Sequence, residues 1–594
     1  MSVTGAAQTG PAILRTPRQR WILAEPHPKE AEALAESARI PLVLAELLIA
    51  RGIASSSEAF AFLNPEVAQL HDPLLMMGMQ AAVERVETAI ARSEPILLYG
   101  DYDVDGTTAV VLLKTTIELL GGVVRFHVPH RIREGYGLQS SVLEAAYANG
   151  VRLVITVDTG MRAFAEAETA QRLGLDLIIT DHHLAQVDEA VPIALAILNP
   201  NQQRCPYPEK SLCGAAIALK LAQALLERRD ADRARTRLLP SFLKMAAIAT
   251  IADAVPLRGE NRVIAALGLR ELRRPVGAGL CALFAAAQLD PAARPITAFD
   301  VAFRLAPRIN AAGRMDVASE IIELFCTRDA GRASELANKL EGLNRERRET
   351  EARALAAIEE RLATNDEFAA ARLVVMDGDG WHRGVIGILA SRVVERTAKP
   401  ALVISVEDGV AHGSGRSIDG FPLLEAIETC ADLFTRFGGH AFAVGFALPA
   451  ASLPELKRRL AICAAERLAA REPERVLNIH AELPLHQVTS VLAGWLHKLE
   501  PLGHSNPEPI FVARNACVIS APRTMKERHL RLELAQEQGT APMRAVGWDM
   551  AARSRELALA QGSRIDVAYR VRENLHPDFG GLEIEIAGLS PIAG

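Results

Sequence analysis

Ile96-Leu97-Leu98-Tyr99-Gly100-Asp101-Tyr102-Asp103-Val104-Asp105-Gly106 runs from an apolar strand directly into three carboxylates on alternate positions. Such a cluster is costly to hold together unless protons or metal ions relieve the repulsion. Two later apolar runs end the same way. Leu153-Val154-Ile155-Thr156-Val157 ends at Asp158, and Leu177-Ile178-Ile179-Thr180 ends at Asp181-His182-His183. Three strand ends carrying hard oxygen ligands and imidazole predict one divalent-metal site assembled from distant parts of the chain.

Working outward, Val123–Val128 and Ile193–Leu198 read as further strands, and Thr107–Leu120 and Arg162–Leu173 as helices between strands. That alternation predicts an α/β fold with a mostly parallel sheet, whose ligands gather at the carboxyl ends of the strands. The first ~85 residues carry Ala/Leu-rich amphipathic patterns around Glu30 to Arg51 and read as helical. Helices dominate from Cys213 to about Leu289. Arg332 to Ala363 is charged and poor in glycine, and its interspersed acids favour a solvated connector helix over a basic DNA-tracking face. A second α/β pattern follows, with strands at Leu373–Met376 and Ala401–Val406. Beyond Val476, short runs at Ile510–Val512, Leu530–Leu534 and Ile565–Tyr569 predict a small β-barrel.

At 594 residues the chain exceeds a single core. Its net charge of −6 gives no bulk attraction for nucleic acid, so any basic groove must be local. Aromatics are only 5%, which leaves few rings for base stacking. The seven cysteines are scattered without a C-x-x-C, which argues against a disulfide framework and a zinc knuckle and for a reducing cytoplasm. Met1 to Arg20 lacks an apolar stretch of signal-peptide type, and no run is long enough to span a bilayer. A cytoplasmic protein with no membrane partner is expected.

Three chemistries compete for the acidic cluster. D-x-D-x-D-G opens like a calcium loop, but loop position twelve is Leu112 instead of a bidentate acid, and a strand precedes it where a helix is required. Asp103-Val104-Asp105-Gly106-Thr107 resembles the first motif of haloacid-dehalogenase phosphatases. There the nucleophile follows its strand at once, and that reading leaves Asp181-His182-His183 without a role. A two-metal hydrolase uses all three strand ends and calls for a further carboxylate. Asp253, closing the apolar run Ile248-Ala249-Thr250-Ile251-Ala252, fits; alone it would read as a helix-terminal surface acid.

The motifs Gly100–Gly106, Val157-Asp158-Thr159-Gly160, Thr180-Asp181-His182-His183 and Ala252-Asp253 stand in the order of the four motifs of the DHH phosphoesterases, which this chain resembles. Gly380-Trp381-His382-Arg383-Gly384-Val385-Ile386-Gly387 and Gly438-Gly439-His440-Ala441-Phe442-Ala443-Val444-Gly445 resemble the associated DHHA1 domain; Val444 stands where many relatives have Ala. Within the family, the single-strand-specific exonucleases are the nearest match. That match rests on Arg304-Leu305-Ala306-Pro307-Arg308-Ile309-Asn310-Ala311-Ala312-Gly313-Arg314, Gly135-Tyr136-Gly137-Leu138 and Asn506-Pro507-Glu508-Pro509. The resemblance runs from about Trp21 to the C-terminus. It implies an N-terminal helical segment (1–85), a DHH catalytic domain (86–330), a connector helix (331–366), a smaller α/β DHHA1 domain (367–470) and an OB-like β-barrel (471–594).

It also implies roles. Asp103 and Asp105 would each bind one metal, Asp158 would bridge two ions, and His182 and Asp253 would complete a coordination sphere. His183 would contact the scissile phosphate or support the ligands, with Asp101 and Asp181 standing behind them. The oxygen and imidazole donors suit two Mn²⁺ ions, or Mg²⁺, better than Zn²⁺, since no thiolate is present. Arg131, Ser414 and Arg416 are candidates for a 5′-terminal phosphate pocket, Ser414 and Arg416 otherwise reading as a Gly-rich turn. Arg308 and Arg314 would touch the DNA backbone or form a salt bridge, and His382 and His440 would hold DNA or the scissile phosphate. Lys526, Arg528, His529 and Trp548 are further possible contacts, although core packing explains Trp548 equally well.

The implied activity is 5′→3′ hydrolysis of single-stranded DNA in recombination and repair. The implied partners are single-strand-binding protein and a recombination helicase, with the enzyme itself a monomer. A DHH enzyme acting on short RNA or cyclic dinucleotides, and a non-catalytic DNA-binding scaffold, are the alternatives. The length of the chain speaks against the first and the intact ligand set against the second.

Overall fold

A computed structural model describes residues 18–592 apart from 131–133, 136, 186–189, 275–276, 316–317, 469–473, 537–540 and 575–579. The chain divides into two compact units: one runs to Ile22 and resumes over Asn344–Asn478, and the other comprises Leu23–Leu343 and Ile479–Gly594.

The larger unit holds the expected parallel sheet. Its strands are β1 (Pro95–Gly100), β2 (Val123–His127), β3 (Leu153–Val157), β4 (Asp176–Thr180) and β5 (Ala196–Leu198), in spatial order β2-β1-β3-β4-β5 with every pair parallel. Both faces are covered, which is why these strands are near-continuous apolar runs. Leu98, Ile155 and Ile178 point into a large core shared with helices α1 (Val104–Leu119), α2 (Gly214–Arg233) and α3 (Leu239–Ala252). Leu97, Tyr99, Val154, Leu177 and Ile179 point the other way, onto Leu143, Ala167 and Ala170. Helix α1 is buried along most of its length, including Val110, Leu112 and Leu113, so its first turn is held rigidly against the sheet edge.

The tail strands belong to the same unit. Five of them, Phe511–Val518, Arg564–Asn574, Gly581–Pro591, Met543–Gly547 and His529–Ala535, pair in succession. The first then pairs with the last through Cys517↔Ala535 and Val518↔Leu534, so the sheet returns on itself as the β-barrel expectation requires. Its core is continuous with Ala31, Leu34, Leu44, Leu47 and Leu63 of the N-terminal helices. Arg262, 2% exposed, fastens this assembly to its own helix, Gly259–Leu272, which belongs to the large core. Its guanidinium donates to the carbonyls of Phe62, Lys498, Leu499 and Glu500 and lies 3.7 Å from the Phe62 ring centre.

The smaller unit is a second α/β layer. Its five strands follow the order Arg436–His440, Ala443–Pro449, Val410–Arg416, Ala401–Glu407, Val374–Asp379; only the last pair is parallel. Ala330–Thr364 is a single 35-residue helix, as its charged, glycine-poor sequence predicts. No helix among the described residues is long and apolar enough to cross a membrane.

Candidate active site

The three acidic strand ends converge. Asp101 is buried beyond β1, and Asp103 caps α1 by accepting the Gly106 N–H at 3.0 Å. Gly106 must be glycine here: a Cβ would stand 2.6 Å from the backbone N and O of Asp101. Asp105, in the first turn of α1, accepts from two amides at the start of α2, Gly214 N–H at 2.6 Å and Ala215 N–H at 2.7 Å. Asp158 immediately follows β3 with φ 59°, a left-handed conformation costly for a non-glycine residue, and its N–H donates to the Thr180 carbonyl.

Asp181 does not point at the other acids. Its carboxylate accepts the backbone N–H groups of Met161, His182 and His183 and the His183 Nδ1–H at 2.7 Å. This contact fixes the orientation of the His183 ring. Asn201 and Asn199 donate to the His182 and His183 carbonyls, fixing the turn from below. His182 Nε2 then lies 3.2 Å from Asp158 Oδ1 and 3.8 Å from Asp105 Oδ2, while its Nδ1 is 3.9 Å from Asp253 Oδ2 at the end of α3.

Ligand atoms gather within 4.8 Å of one another in three overlapping sets: Asp101, Asp103 and Asp158; Asp105, His182 and Asp253; and Asp158, His182 and His183. Burial and the neighbouring Asp105 carboxylate push Asp158 well above, and Asp103 above, the ordinary carboxylate range. The same causes push Asp253 up to about 8. Burial lowers His182; His183 is raised, because its bond to Asp181 and that residue's charge outweigh its burial. Among the described residues no Lys or Arg pairs with Asp103, Asp105 or Asp253. Carboxylates pressed together, with imidazole at their centre, fit a hard or borderline divalent ion.

The other sequence candidates divide. Arg131 and the Arg314 side chain lie outside the described residues. Arg308 is largely buried, its Nε 2.5 Å from Glu341 Oε2, with a second nitrogen donating to the Arg304 carbonyl. In the smaller unit, Ser414 and Arg416 form one corner: the guanidinium is 3.2 Å from the Ser414 hydroxyl and donates to the Gly415 carbonyl. A Cβ on Gly387, in the first turn of the Ile386–Thr397 helix, would stand 3.2 Å from Ser414 Oγ and 3.3 Å from an Arg416 nitrogen. His382 Nδ1 accepts the Gly384 N–H, and His440 is exposed, accepting from Phe442 N–H. On the barrel, Trp548 is 56% exposed and stands edge-on to His529, Lys526 is exposed, and Arg528 pairs with Asp549.

Sequence reasoning missed the residues that hold the acids in place. Asn310 accepts the Val104 N–H, and Gly313 leaves room for the Tyr102 carbonyl, which a Cβ would approach to 2.5 Å. Both belong to the Arg308–Arg314 motif, read only for its arginines. The signal for Asn199 and Asn201 was an Asn-Pro-Asn directly after a strand.

A doubly covered parallel sheet whose strand ends gather acids and a His pair is the architecture of the DHH phosphoesterases, and the DHH family N-terminal domain profile matches residues 95–250. The DHHA1 domain profile matches 365–466 and the RecJ OB domain profile 479–587. The single-stranded-DNA-specific exonuclease RecJ of Dickeya dadantii is 36% identical over 85% of this chain and 88% of its own length. That of Bacillus subtilis is 35% identical over 93% of this chain and 68% of its own. A crystal structure of RecJ from Thermus thermophilus in complex with Mn²⁺ superposes with a TM-score of 0.82 at 29% identity, covering 97% of this chain and 80% of that one. The chain belongs to the RecJ family.

Proposed function

We propose that this protein is a divalent-metal-dependent exonuclease that hydrolyses single-stranded DNA in the 5′→3′ direction to 5′-mononucleotides. The observation that carries this reading is the convergence of Asp101, Asp103, Asp105, Asp158, Asp253 and His182 at one sheet edge, in a chain whose relatives are named single-stranded-DNA-specific exonucleases. Asp103, Asp105, Asp158, His182 and Asp253 are the metal ligands in this reading, with Asp158 shared between two sites. Asp101 lies close enough to Asp103 and Asp158 to join them, so its role shifts from orienting a ligand towards being one. Two Mn²⁺ or Mg²⁺ ions, when bound, would acidify a water and offset the charge that develops on the phosphodiester.

The chain's own groups do the rest. Asp181 orients the ring of His183, which contacts the scissile phosphate or supports the ligands in this reading. Ser414 and Arg416 supply a hydroxyl and a guanidinium for the 5′-terminal phosphate in this reading; Arg131 is a separate candidate for a phosphate contact. His382 and His440 contact the strand in this reading. Arg308, engaged by Glu341, braces the 306–315 helix, and Arg314 is left as the backbone contact of that motif. Action in recombination and repair beside a single-strand-binding protein and a helicase, as a monomer, is what the resemblance supports, and the scattered cysteines without a C-x-x-C support a cytoplasmic setting.

Incubation with Mn²⁺ and 5′- or 3′-labelled single strands, with duplex, short RNA and cyclic dinucleotides in parallel, tests the reading. Mononucleotides should appear first from the 5′ end of single-stranded DNA. Release from the 3′ end would overturn the polarity, and no hydrolysis of any substrate would overturn the enzyme.

A further inference from the structure

We infer that Gly214 is a positioning residue that sets the separation of the Asp105 and Asp158 carboxylates, and through it the metal affinity of the site; this rests on the metal-dependent reading above. Nothing in the sequence marks Gly214 as chemical. It opens α2 in Leu212-Cys213-Gly214-Ala215-Ala216, an apolar stretch that reads as the start of a buried helix. Two independent features join at it.

The first is a pair of hydrogen bonds. The Gly214 N–H meets Asp105 Oδ2 at 2.6 Å and the Ala215 N–H meets Oδ1 at 2.7 Å, so both oxygens of one carboxylate are gripped by adjacent amides. These amides belong to the first turn of a helix, where N–H groups have no partner within the helix and favour negative charge. Asp105 is therefore fixed in plane and rotation, each oxygen keeping a lone pair for a cation.

The second is an absence of volume. A Cβ at Gly214 would lie 2.6 Å from Asp158 Cβ, 2.9 Å from its Cγ and 2.9 Å from its Oδ1. Asp158 cannot yield easily, because its backbone sits at φ 59° and its N–H is tied to Thr180. The missing side chain of Gly214 is thus the space in which the Asp158 carboxylate lies, while the Gly214 amide holds Asp105. One residue gauges two acids from two different strand ends.

Gly214→Ala supplies the test, with Mn²⁺ binding measured directly by calorimetry and by the paramagnetic signal of free Mn²⁺, and with unfolding followed in EDTA. The variant should bind Mn²⁺ at least about tenfold more weakly, recover part of its nuclease rate at raised Mn²⁺, and bind single-stranded DNA in EDTA as the parent does. Ordinary core damage would lower the unfolding temperature and leave Mn²⁺ affinity alone. Asp158→Gly/Gly214→Ala provides the second arm, since removing the Asp158 side chain removes the clash. In that background the alanine should cost little stability, which keeps the test open even if Gly214→Ala alone folds poorly. Mn²⁺ affinity in Gly214→Ala within twofold of the parent would overturn the inference. So would an equal loss of stability from the alanine with and without Asp158. Failure of the parent itself to bind Mn²⁺ would instead overturn the metal-dependent reading.

Discussion

Two buried clusters of ionisable groups lie in the larger unit, and they are solved in opposite ways. Around Lys220 the chain supplies every partner. The Lys220 ammonium, with no exposed surface, donates to Glu260 Oε1 at 2.8 Å, to Gln223 at 2.6 Å and to the His71 carbonyl at 2.6 Å, while Tyr207 donates to Glu260 Oε2. Around Asp158 the chain supplies acid upon acid, with the imidazoles of His182 and His183 among them. A fold that needed only stability would not crowd acids as the second cluster does, since like charges pressed together oppose folding. The first cluster is structure; the second is a place prepared for cations from solution.

The sharpest way to break this contrast is to remove one member from each side. Asp158→Ala should lower the nuclease rate by at least about 10³-fold, because the residue belongs to two of the three ligand groupings, while single-strand binding stays measurable. Near-normal turnover would remove Asp158 from the mechanism. Lys220→Ala should act on the fold instead, at about 3–5 kcal/mol in chemical denaturation, since it leaves Glu260 buried and uncompensated. Should Lys220→Ala lower Mn²⁺ affinity without lowering stability, the two clusters would not be separate devices.

How much of this the sequence discloses depends on whether the chemistry lies in side chains or in backbone. The sheet is legible because its strands are unbroken apolar runs ending in acids, and Leu153–Val157 matches to the residue. Helix α1 starts at Val104, three residues before the pattern predicts, because Asp103 is its cap and Asp105 lies in its first turn. The last strand is shorter than expected, Ala196–Leu198, since Ile193 and Leu195 stay exposed. The acids and the His pair could be picked out as residue types. Gly214, Asn199, Asn201 and Asn310 could not, because their contribution is an amide or a carbonyl contact that exists only once distant segments meet. Residues 31–63 illustrate the same limit. Their amphipathic pattern predicts helices, but not that the barrel, more than 400 residues onward, would cover them.

The third prediction sets the acidic cluster against the Ser414–Arg416 corner, a candidate site of opposite charge. Arg416→Ala should reduce the preference for a 5′-phosphorylated end over a 5′-hydroxyl end by about tenfold, the size of one charge-assisted hydrogen bond, with little change in metal affinity. An unchanged preference would move the terminal phosphate elsewhere.

The smallest effect is one of pH. Asp253 holds its proton up to about pH 8 in the folded protein and releases it near pH 4 when unfolded, so the folded state carries more protons between those limits. Without metal, stability should therefore fall as pH rises from about 5 to about 8. Asp300 works in the other direction. Its carboxylate, buried yet gripped by Arg294 and Thr297, is held down to about 2, so its contribution is lost only in strong acid. A melting temperature in EDTA that rises steadily from pH 5 to pH 8 would contradict the assignment for the acidic cluster.

The claim on which the rest depends is that cations complete this cluster, and calorimetric titration with Mn²⁺ tests it most directly. At pH 8 the parent protein should bind two ions, more weakly at pH 6 where protons compete, and Asp158→Ala should lose at least one of them. No binding by the parent, or identical isotherms for parent and Asp158→Ala, would contradict the account.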